Sequence, residues 1–249
     1  MRFVLIALSL LVFGCSVHIN PDQPASMLIR DGEELMAKKK YKYAAILFEN
    51  AVYNAQNPDE AKLAQRYLAD AYYSNKKYLD AIASYEVYYY TYYDDPELSL
   101  VLYRLGMSFS QISPKIKRDQ AFTIEARDYF EELASAFPVE YRRYGADMER
   151  LKMINKLAWG EYYIADYYYR MKSYESVVPR LLHMINTYPE ASMIDDALAL
   201  LIRTSLKIPG REMAVGEYLR ELEYKYPNYY KTEQLRKDIE AYRAGKKDA

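Results

Sequence analysis

The sequence predicts an all-α fold built from tandem helical hairpins, and three observations support this class. The stretch Glu161–Leu201 contains an apolar helical run, a short polar break, a second apolar run and a Tyr-Pro stop. The apolar residues of the second run are three and four apart, the spacing that keeps side chains on one stripe of a helix. Glycine, which weakens helices, makes up only 8 of the 249 residues.

The same pattern recurs along most of the chain with a period close to that of the tetratricopeptide repeat, about 34 residues. The residue pairs that mark each first helix are Gly32 and Leu35, Ala69 and Tyr72, Gly106 and Phe109, Ala165 and Tyr168, and Ala199 and Ile202. The small residue of each pair lets the first helix approach the second closely. We therefore predict a right-handed tetratricopeptide-repeat solenoid of about five helical hairpins over residues 25–243, followed by a flexible tail, 244–249.

The first two hairpins follow the regular spacing. We expect helices over Ala25–Lys38, Tyr41–Gln56, Glu60–Ser74 and Tyr78–Tyr92, with Asp59 as an N-cap. The run that follows Tyr85 is dense in tyrosine, and these side chains cannot all face one way on a helix. They form either a protein-binding surface or part of a chain-wide use of tyrosine on amphipathic helices.

The later hairpins depart from uniform spacing in two places. A basic, turn-rich insertion, Ser113–Asp119, separates the helices of repeat three, and it is either an ordinary surface loop or part of a binding face. A charged helical stretch, Tyr141–Leu157, separates repeats three and four. Trp159, the single tryptophan, is expected to pack between repeats, and Thr232–Tyr242 is expected to cap the solenoid.

The N-terminus predicts export and lipidation. A basic start is followed by an apolar run, Phe3–Phe13, which is too short to span a bilayer and typical of a signal peptide. Val12-Phe13-Gly14-Cys15 resembles a bacterial lipobox, and Cys15 has no disulfide partner because it is the only cysteine. We predict a lipoprotein signal peptide, 1–14, and a lipidated tether, 15–24. The alternative is an ordinary signal peptide with a chance cysteine.

The sequence offers little catalytic chemistry. It has two histidines, His18 and His183, and no Gly-rich phosphate loop, nucleophile elbow or metalloprotease motif. Acid pairs such as Asp195-Asp196 are adjacent in sequence, and we assign them to helix capping and solubility. A net charge of −1 does not indicate nucleic-acid binding. We predict no enzymatic activity, cofactor or metal.

The lipobox, the short tether and about five repeats together resemble the BamD family, also called YfiO or ComL. The likeness is closest over Leu157–Leu201, with its paired aromatics, YP stop and Asp-Ala helix start. The resemblance implies a non-catalytic lipoprotein subunit of the β-barrel assembly machinery on the periplasmic face of the outer membrane. The implied partners are the barrel-forming subunit with its POTRA domains, other accessory lipoproteins and unfolded outer membrane proteins.

The resemblance also implies two binding regions. From the position of each residue within its repeat, we expect a groove for substrate peptides to be lined by Ile29, Glu33, Met36, Arg66, Asp70, Tyr73, Tyr103 and Met107. The POTRA domain would dock on Tyr162–Leu222, with Arg170 and Arg203 as exposed candidates. The alternative is a pilotin-type periplasmic repeat lipoprotein for secretin or pilus assembly.

Overall fold

The computed structural model describes residues 20–247, so Cys15 and the predicted signal peptide lie outside the described residues. Every regular element in this range is an α-helix, which confirms the all-α prediction. The helices are α1 Ala25–Ala37, α2 Tyr41–Asn54, α3 Pro58–Ser74, α4 Tyr78–Thr91, α5 Leu98–Ile112, α6 Ala121–Ala136, α7 Pro138–Arg143, α8 Ala146–Arg170, α9 Tyr174–Thr187, α10 Ile194–Ser205, α11 Glu212–Lys225 and α12 Thr232–Lys247. Among them, none is both long enough and apolar enough to cross a membrane.

The chain divides into two compact units, the first ending at Ser84 and the second beginning at Tyr85, within α4. In the first unit α1, α2 and α3 pack on one another around a core that contains Leu28 and Phe48. The residues before α1 are held by Asn54, whose Nδ2 donates to the carbonyl oxygens of Pro21, at 2.6 Å, and Gln23, at 2.9 Å. The end of the predicted tether is therefore attached to α2.

Three hairpins turn through the same backbone conformation. Lys39, Lys76 and Lys172 have left-handed φ angles of 57°, 59° and 59°, each just after the first helix of its hairpin. In each case the next residue's N–H donates back to a carbonyl in the last turn of the helix, for example from Lys77 to Tyr72 at 2.9 Å. This is the arrangement that satisfies the free carbonyls at a helix C-terminus.

The start of α3 differs from the prediction. Asn57, not Asp59, is the N-cap, since its side chain accepts a hydrogen bond from the Glu60 N–H at 2.9 Å. Pro58 takes the first helical position, where its missing N–H costs nothing. Asp59 lies inside the first turn.

In the second unit, the charged stretch Tyr141–Leu157 is not a separate helix. Gly145, with a left-handed φ of 67°, lies between the short α7 and the start of α8. Helix α8 then runs for 25 residues and includes the first helix of repeat four. The extra length between repeats is thus absorbed by one long helix that packs on both α6 and α9. In the same unit, α12 buries Leu235 and Ile239 in the hydrophobic core and runs to Lys247, past the predicted end of this helix at Tyr242.

Two hairpins are packed by placing a glycine against an aromatic ring. A Cβ on Gly32 would lie 2.5 Å from Cε1 of Phe48, and a Cβ on Gly106 would lie 2.6 Å from Cε1 of Phe130. Both rings are fully buried, so neither can swing aside. The prediction that a small residue permits close helix approach is confirmed at these two positions.

Tyrosine hydroxyl groups join helices of different hairpins through carboxylates. Tyr89 donates to Glu132 Oε1 at 2.7 Å, and this hydrogen bond, together with burial, raises the pKa of Tyr89 from 10.0 to about 12. Tyr72 donates to Glu49 Oε1 at 3.1 Å, and burial followed by this bond raises its pKa to about 12. Other tyrosines stay exposed, such as Tyr53 at 89%. Some tyrosines therefore join neighbouring helices, and others remain on the surface.

We predict that Gly106→Ala lowers the free energy of unfolding by about 1 to 3 kcal/mol, because the new methyl group overlaps the Phe130 ring. Gly216→Ala in α11 is the matched control, since its nearest neighbour would be the flexible Arg220 side chain at 3.7 Å. The control should be neutral or gain about 0.5 to 1 kcal/mol. Urea denaturation measures both, and equal effects would contradict the packing argument.

We predict that Tyr89→Phe lowers the free energy of unfolding at neutral pH by about 1 kcal/mol. Because the folded pKa of Tyr89 lies above its unfolded value, this stabilisation is complete below pH 10 and is lost as pH rises through about 12. The stability difference between wild type and variant should therefore shrink across that window. Tyr53→Phe is the control, and its difference from wild type should stay near zero throughout.

Candidate functional site

The first unit brings several predicted groove residues together where the first helices of two successive hairpins lie side by side. Tyr67, on α3, donates to Oε1 of Glu33, on α1, at 2.7 Å. The two residues are 34 positions apart, which is one repeat. Tyr67 was missed from sequence, although counting one period from Glu33 points to it.

The charged residues of this surface are paired with each other. Nη1 of Arg66 lies 2.8 Å from Oδ2 of Asp70, and the two side chains are only 12% and 20% exposed. The Arg66 guanidinium also lies over the Tyr67 ring, 4.4 Å from its centroid. Burial and the nearby Glu33 carboxylate raise the pKa of Tyr67. Each of these polar side chains is thus held in position by a neighbouring side chain.

The apolar contribution to this surface is smaller than predicted, because Ile29 does not reach it. Ile29 is 6% exposed and packs in the core beside Leu28. Met36 is half-buried, and so is Tyr73, whose ring meets that of Tyr78 edge-on at 5.7 Å. We call Glu33, Met36, Arg66, Asp70 and Tyr73 the N-terminal patch.

The two remaining predicted groove residues lie in the second unit, on α5. Tyr103 is half-buried between rings, with its centroid 5.1 Å from that of Tyr144 and 6.3 Å from that of Phe130. Met107, one turn further on, is also half-buried. Tyr103 thus forms part of the packing of the hairpin.

The two arginines predicted for POTRA docking have different surroundings. Arg170 ends α8 with its side chain 61% exposed, 3.0 Å from Asp166 Oδ2. Arg203 was predicted to be exposed, but its side chain is only 32% exposed because α12 lies beside it, with Asp238 Oδ2 at 3.8 Å. It lines a cleft of about 560 Å³ with Tyr169 and Tyr242, which we call the C-terminal cleft.

Asp196, interpreted from sequence as a helix-cap acid, has a further role. Its Oδ1 accepts a hydrogen bond from the hydroxyl group of Tyr229 at 2.7 Å and lies 3.3 Å from Nζ of Lys231. Burial and this carboxylate raise the pKa of Tyr229. The bond joins α10 to the segment before α12, so it holds the last helix against the body of the unit.

The described residues provide no obvious metal site. Within residues 20–247, no group of three or more His, Cys, Asp or Glu side chains could hold a metal ion. His183 is exposed, with Nδ1 3.3 Å from Oγ1 of Thr187, and His18 lies outside the described residues.

Comparison with known proteins identifies similar chains. The family model described as YfiO, outer membrane lipoprotein, matches residues 21–215. A relative from Rickettsia prowazekii named outer membrane protein assembly factor BamD is 25% identical over 231 residues, covering 90% of each chain. A relative of the same name from Neisseria meningitidis serogroup A is 23% identical over 226 residues, covering 84% of this chain and 82% of its own. The crystal structure of a tetratricopeptide repeat protein from Parabacteroides merdae covers 90% of this chain and 86% of that chain at 15% identity, with a TM-score of 0.39.

We predict that Asp70→Asn lowers the free energy of unfolding by about 1 to 3 kcal/mol, because it weakens a charged hydrogen bond to a mostly buried Arg66. Asp31→Asn is the matched control, since Asp31 pairs at 3.1 Å with an Arg30 side chain that is 68% exposed. Exposed pairs contribute about 0 to 1 kcal/mol. Urea denaturation compares the two, and a larger loss in the control would contradict the assignment.

Proposed function

The chain belongs to the YfiO family of outer membrane lipoproteins, and from that premise we propose that it is a non-catalytic subunit of the β-barrel assembly machinery. In this role it would scaffold the barrel-forming subunit and engage unfolded outer membrane proteins. The observation that carries the proposal is the extent of the family match, residues 21–215, which spans the first four hairpins and enters the fifth. Relatives that align over most of their own length carry the name outer membrane protein assembly factor.

Substrate engagement is proposed for the N-terminal patch. Adjacent first helices of a repeat protein present a surface suited to an extended peptide. The Arg66–Asp70 pair and the Tyr67–Glu33 hydrogen bond keep the polar side chains in fixed positions, so little side-chain entropy is lost on binding. Tyr73 and Met36 would supply apolar contact to the peptide. In the second unit, Tyr103 and Met107 stay proposals for peptide contact within that unit, whereas the buried Ile29 is withdrawn.

Docking of a POTRA domain is proposed for the C-terminal hairpins. Arg170 has the exposure that an interface residue needs. Arg203 would act from within the C-terminal cleft, where a partner side chain would have to enter beside Tyr169 and Asp238. Other accessory lipoproteins belong to the same proposal, without an assigned surface.

Attachment to the periplasmic face of the outer membrane is proposed to occur through a lipidated Cys15. Pro21, whose carbonyl oxygen accepts a hydrogen bond from Asn54, lies six positions after Cys15. A chain of that length spans at most about 20 Å. Lipidation at Cys15 would therefore hold the first unit close to the membrane surface.

The proposal is tested by purifying the lipidated protein from its native outer membrane in mild detergent and identifying its companions by mass spectrometry. We expect a stoichiometric barrel protein that carries POTRA domains, and we expect Cys15→Ser to be lost from the membrane fraction. A secretin or pilus subunit in place of the barrel protein would overturn the proposal in favour of the pilotin alternative.

Photo-cross-linking then assigns the surfaces. A photoreactive phenylalanine analogue at Tyr73 should cross-link unfolded outer membrane proteins, and one at Arg170 should cross-link the barrel subunit. Tyr53, 89% exposed on α2, and Met213, 86% exposed on α11, are the matched controls. Equal cross-linking from Tyr53 and Tyr73 would contradict the proposal that the N-terminal patch binds unfolded outer membrane proteins.

A further inference from the structure

The insertion of repeat three forms one wall of an open pocket in the second unit. Residues 113–118 of the insertion face α8 across a space of about 920 Å³. Trp159, on α8, lines this space and is 46% exposed, which corrects the prediction that it packs between repeats.

The wall formed by the insertion is held in place by hydrogen bonds. Nε2 of Gln120 donates to the carbonyl oxygens of Lys115, at 3.0 Å, and Arg118, at 2.9 Å. Across the pocket, Nζ of Lys156 on α8 donates to Oγ of Ser113 at 2.6 Å. The pocket is therefore formed before any partner arrives, so binding does not have to order it.

The pocket concentrates positive charge. Its lining includes Lys115, Lys117, Arg118, Lys152 and Lys156, and no lining residue is acidic. The chain as a whole carries a net charge of −1, so this is a local excess rather than a property of the composition.

Neighbouring groups compensate only part of this charge. Lys152 lies 2.7 Å from Glu149, and Lys117 lies over the Tyr163 ring at 4.7 Å. Burial lowers the pKa of Lys156. Lys115 and Arg118, on the insertion, are exposed residues.

The rest of the lining is only partly apolar, since it includes two polar residues, Ser113 and Asn155. Its apolar part consists of Pro114, Ile116 and the Trp159 indole, and the lysine side chains add their aliphatic stems. Tryptophan and arginine are enriched among the residues that dominate binding energy at protein interfaces. A suitable occupant therefore combines negative charges with an apolar side chain that fits beside Trp159.

We propose that this pocket binds an acidic segment of a partner protein, with an apolar side chain of that segment seated against Trp159. The concave shape favours a peptide over a membrane surface, because a flat array of headgroups cannot fill a pocket of about 920 Å³. The inference goes beyond the proposed function and does not depend on it, since it rests on the second unit alone.

The test uses the purified mature chain and a labelled peptide in which glutamates flank a Phe-Leu pair. Trp159 is the only tryptophan, so its emission reports the pocket directly. We expect a blue shift of that emission on binding and a rise in the anisotropy of the labelled peptide. Raising the ionic strength from about 0.1 M to about 1 M, which shortens the Debye length from about 10 Å to about 3 Å, should weaken binding.

Charge reversal supplies the variants. Lys115→Glu with Lys152→Glu, one from each wall, should weaken peptide binding about tenfold or more, with the helical circular dichroism unchanged. The control, Lys42→Glu with Lys237→Glu, makes the same charge change at exposed positions on α2 and α12 and should leave binding as in the wild type.

Three results would overturn the proposal. The first is an unchanged Trp159 emission with the acidic peptide, and the second is equal binding of a peptide with glutamine in place of glutamate. The third is binding to vesicles that contain anionic lipid, lost in the pocket variant, without binding to the peptide. That last result would assign the pocket to a lipid surface instead.

Discussion

The contact on which the first and third hairpins depend is the approach of one helix to the next across a glycine. At Gly32 and Gly106 the space that a Cβ would fill is already taken by the rings of Phe48 and Phe130. Because interiors are packed to a density that leaves no slack, this contact sets the distance between the paired helices. That distance in turn determines where the next hairpin packs, and so whether the first helices of successive hairpins meet.

Where they meet, tyrosine makes the connection. The Tyr67 ring lies against Phe48 of the first hairpin, with centroids 5.3 Å apart, and its hydroxyl group donates to Glu33 on the neighbouring first helix. Tyr229, in the segment before α12, likewise donates to Asp196 on α10. A neutral donor avoids the cost of removing a second charge from water, which an ion pair in the same place would incur. A chain rich in tyrosine can therefore join its repeats through polar contacts without burying many cations.

The predictions that were wrong have different causes, and the first is that periodicity assigns the buried face of a helix only to within about one residue. Ile29 follows the buried Leu28, and a rotation of one position along α1 moves it from the groove to the core. Asn57 and Asp59 are equally good capping residues by type. Asn57 is the N-cap because the helix begins at Pro58, which leaves Asp59 inside the first turn. The exposure of Trp159 depends on an insertion some forty residues earlier in the chain, which no local pattern on α8 reveals.

The sequence by itself determined the all-α class, the positions of most helices, the small residues at which paired helices approach closely and the family, because these depend on residues within one repeat and the one that follows. Tertiary structure alone decided which polar groups meet, how far Arg203 is covered by α12 and that a basic pocket forms around Trp159. The physical reason is that a side chain's exposure and charge partners come from helices that are distant in sequence. A period predicts that those helices stack, but it does not say which atoms come within hydrogen-bonding distance.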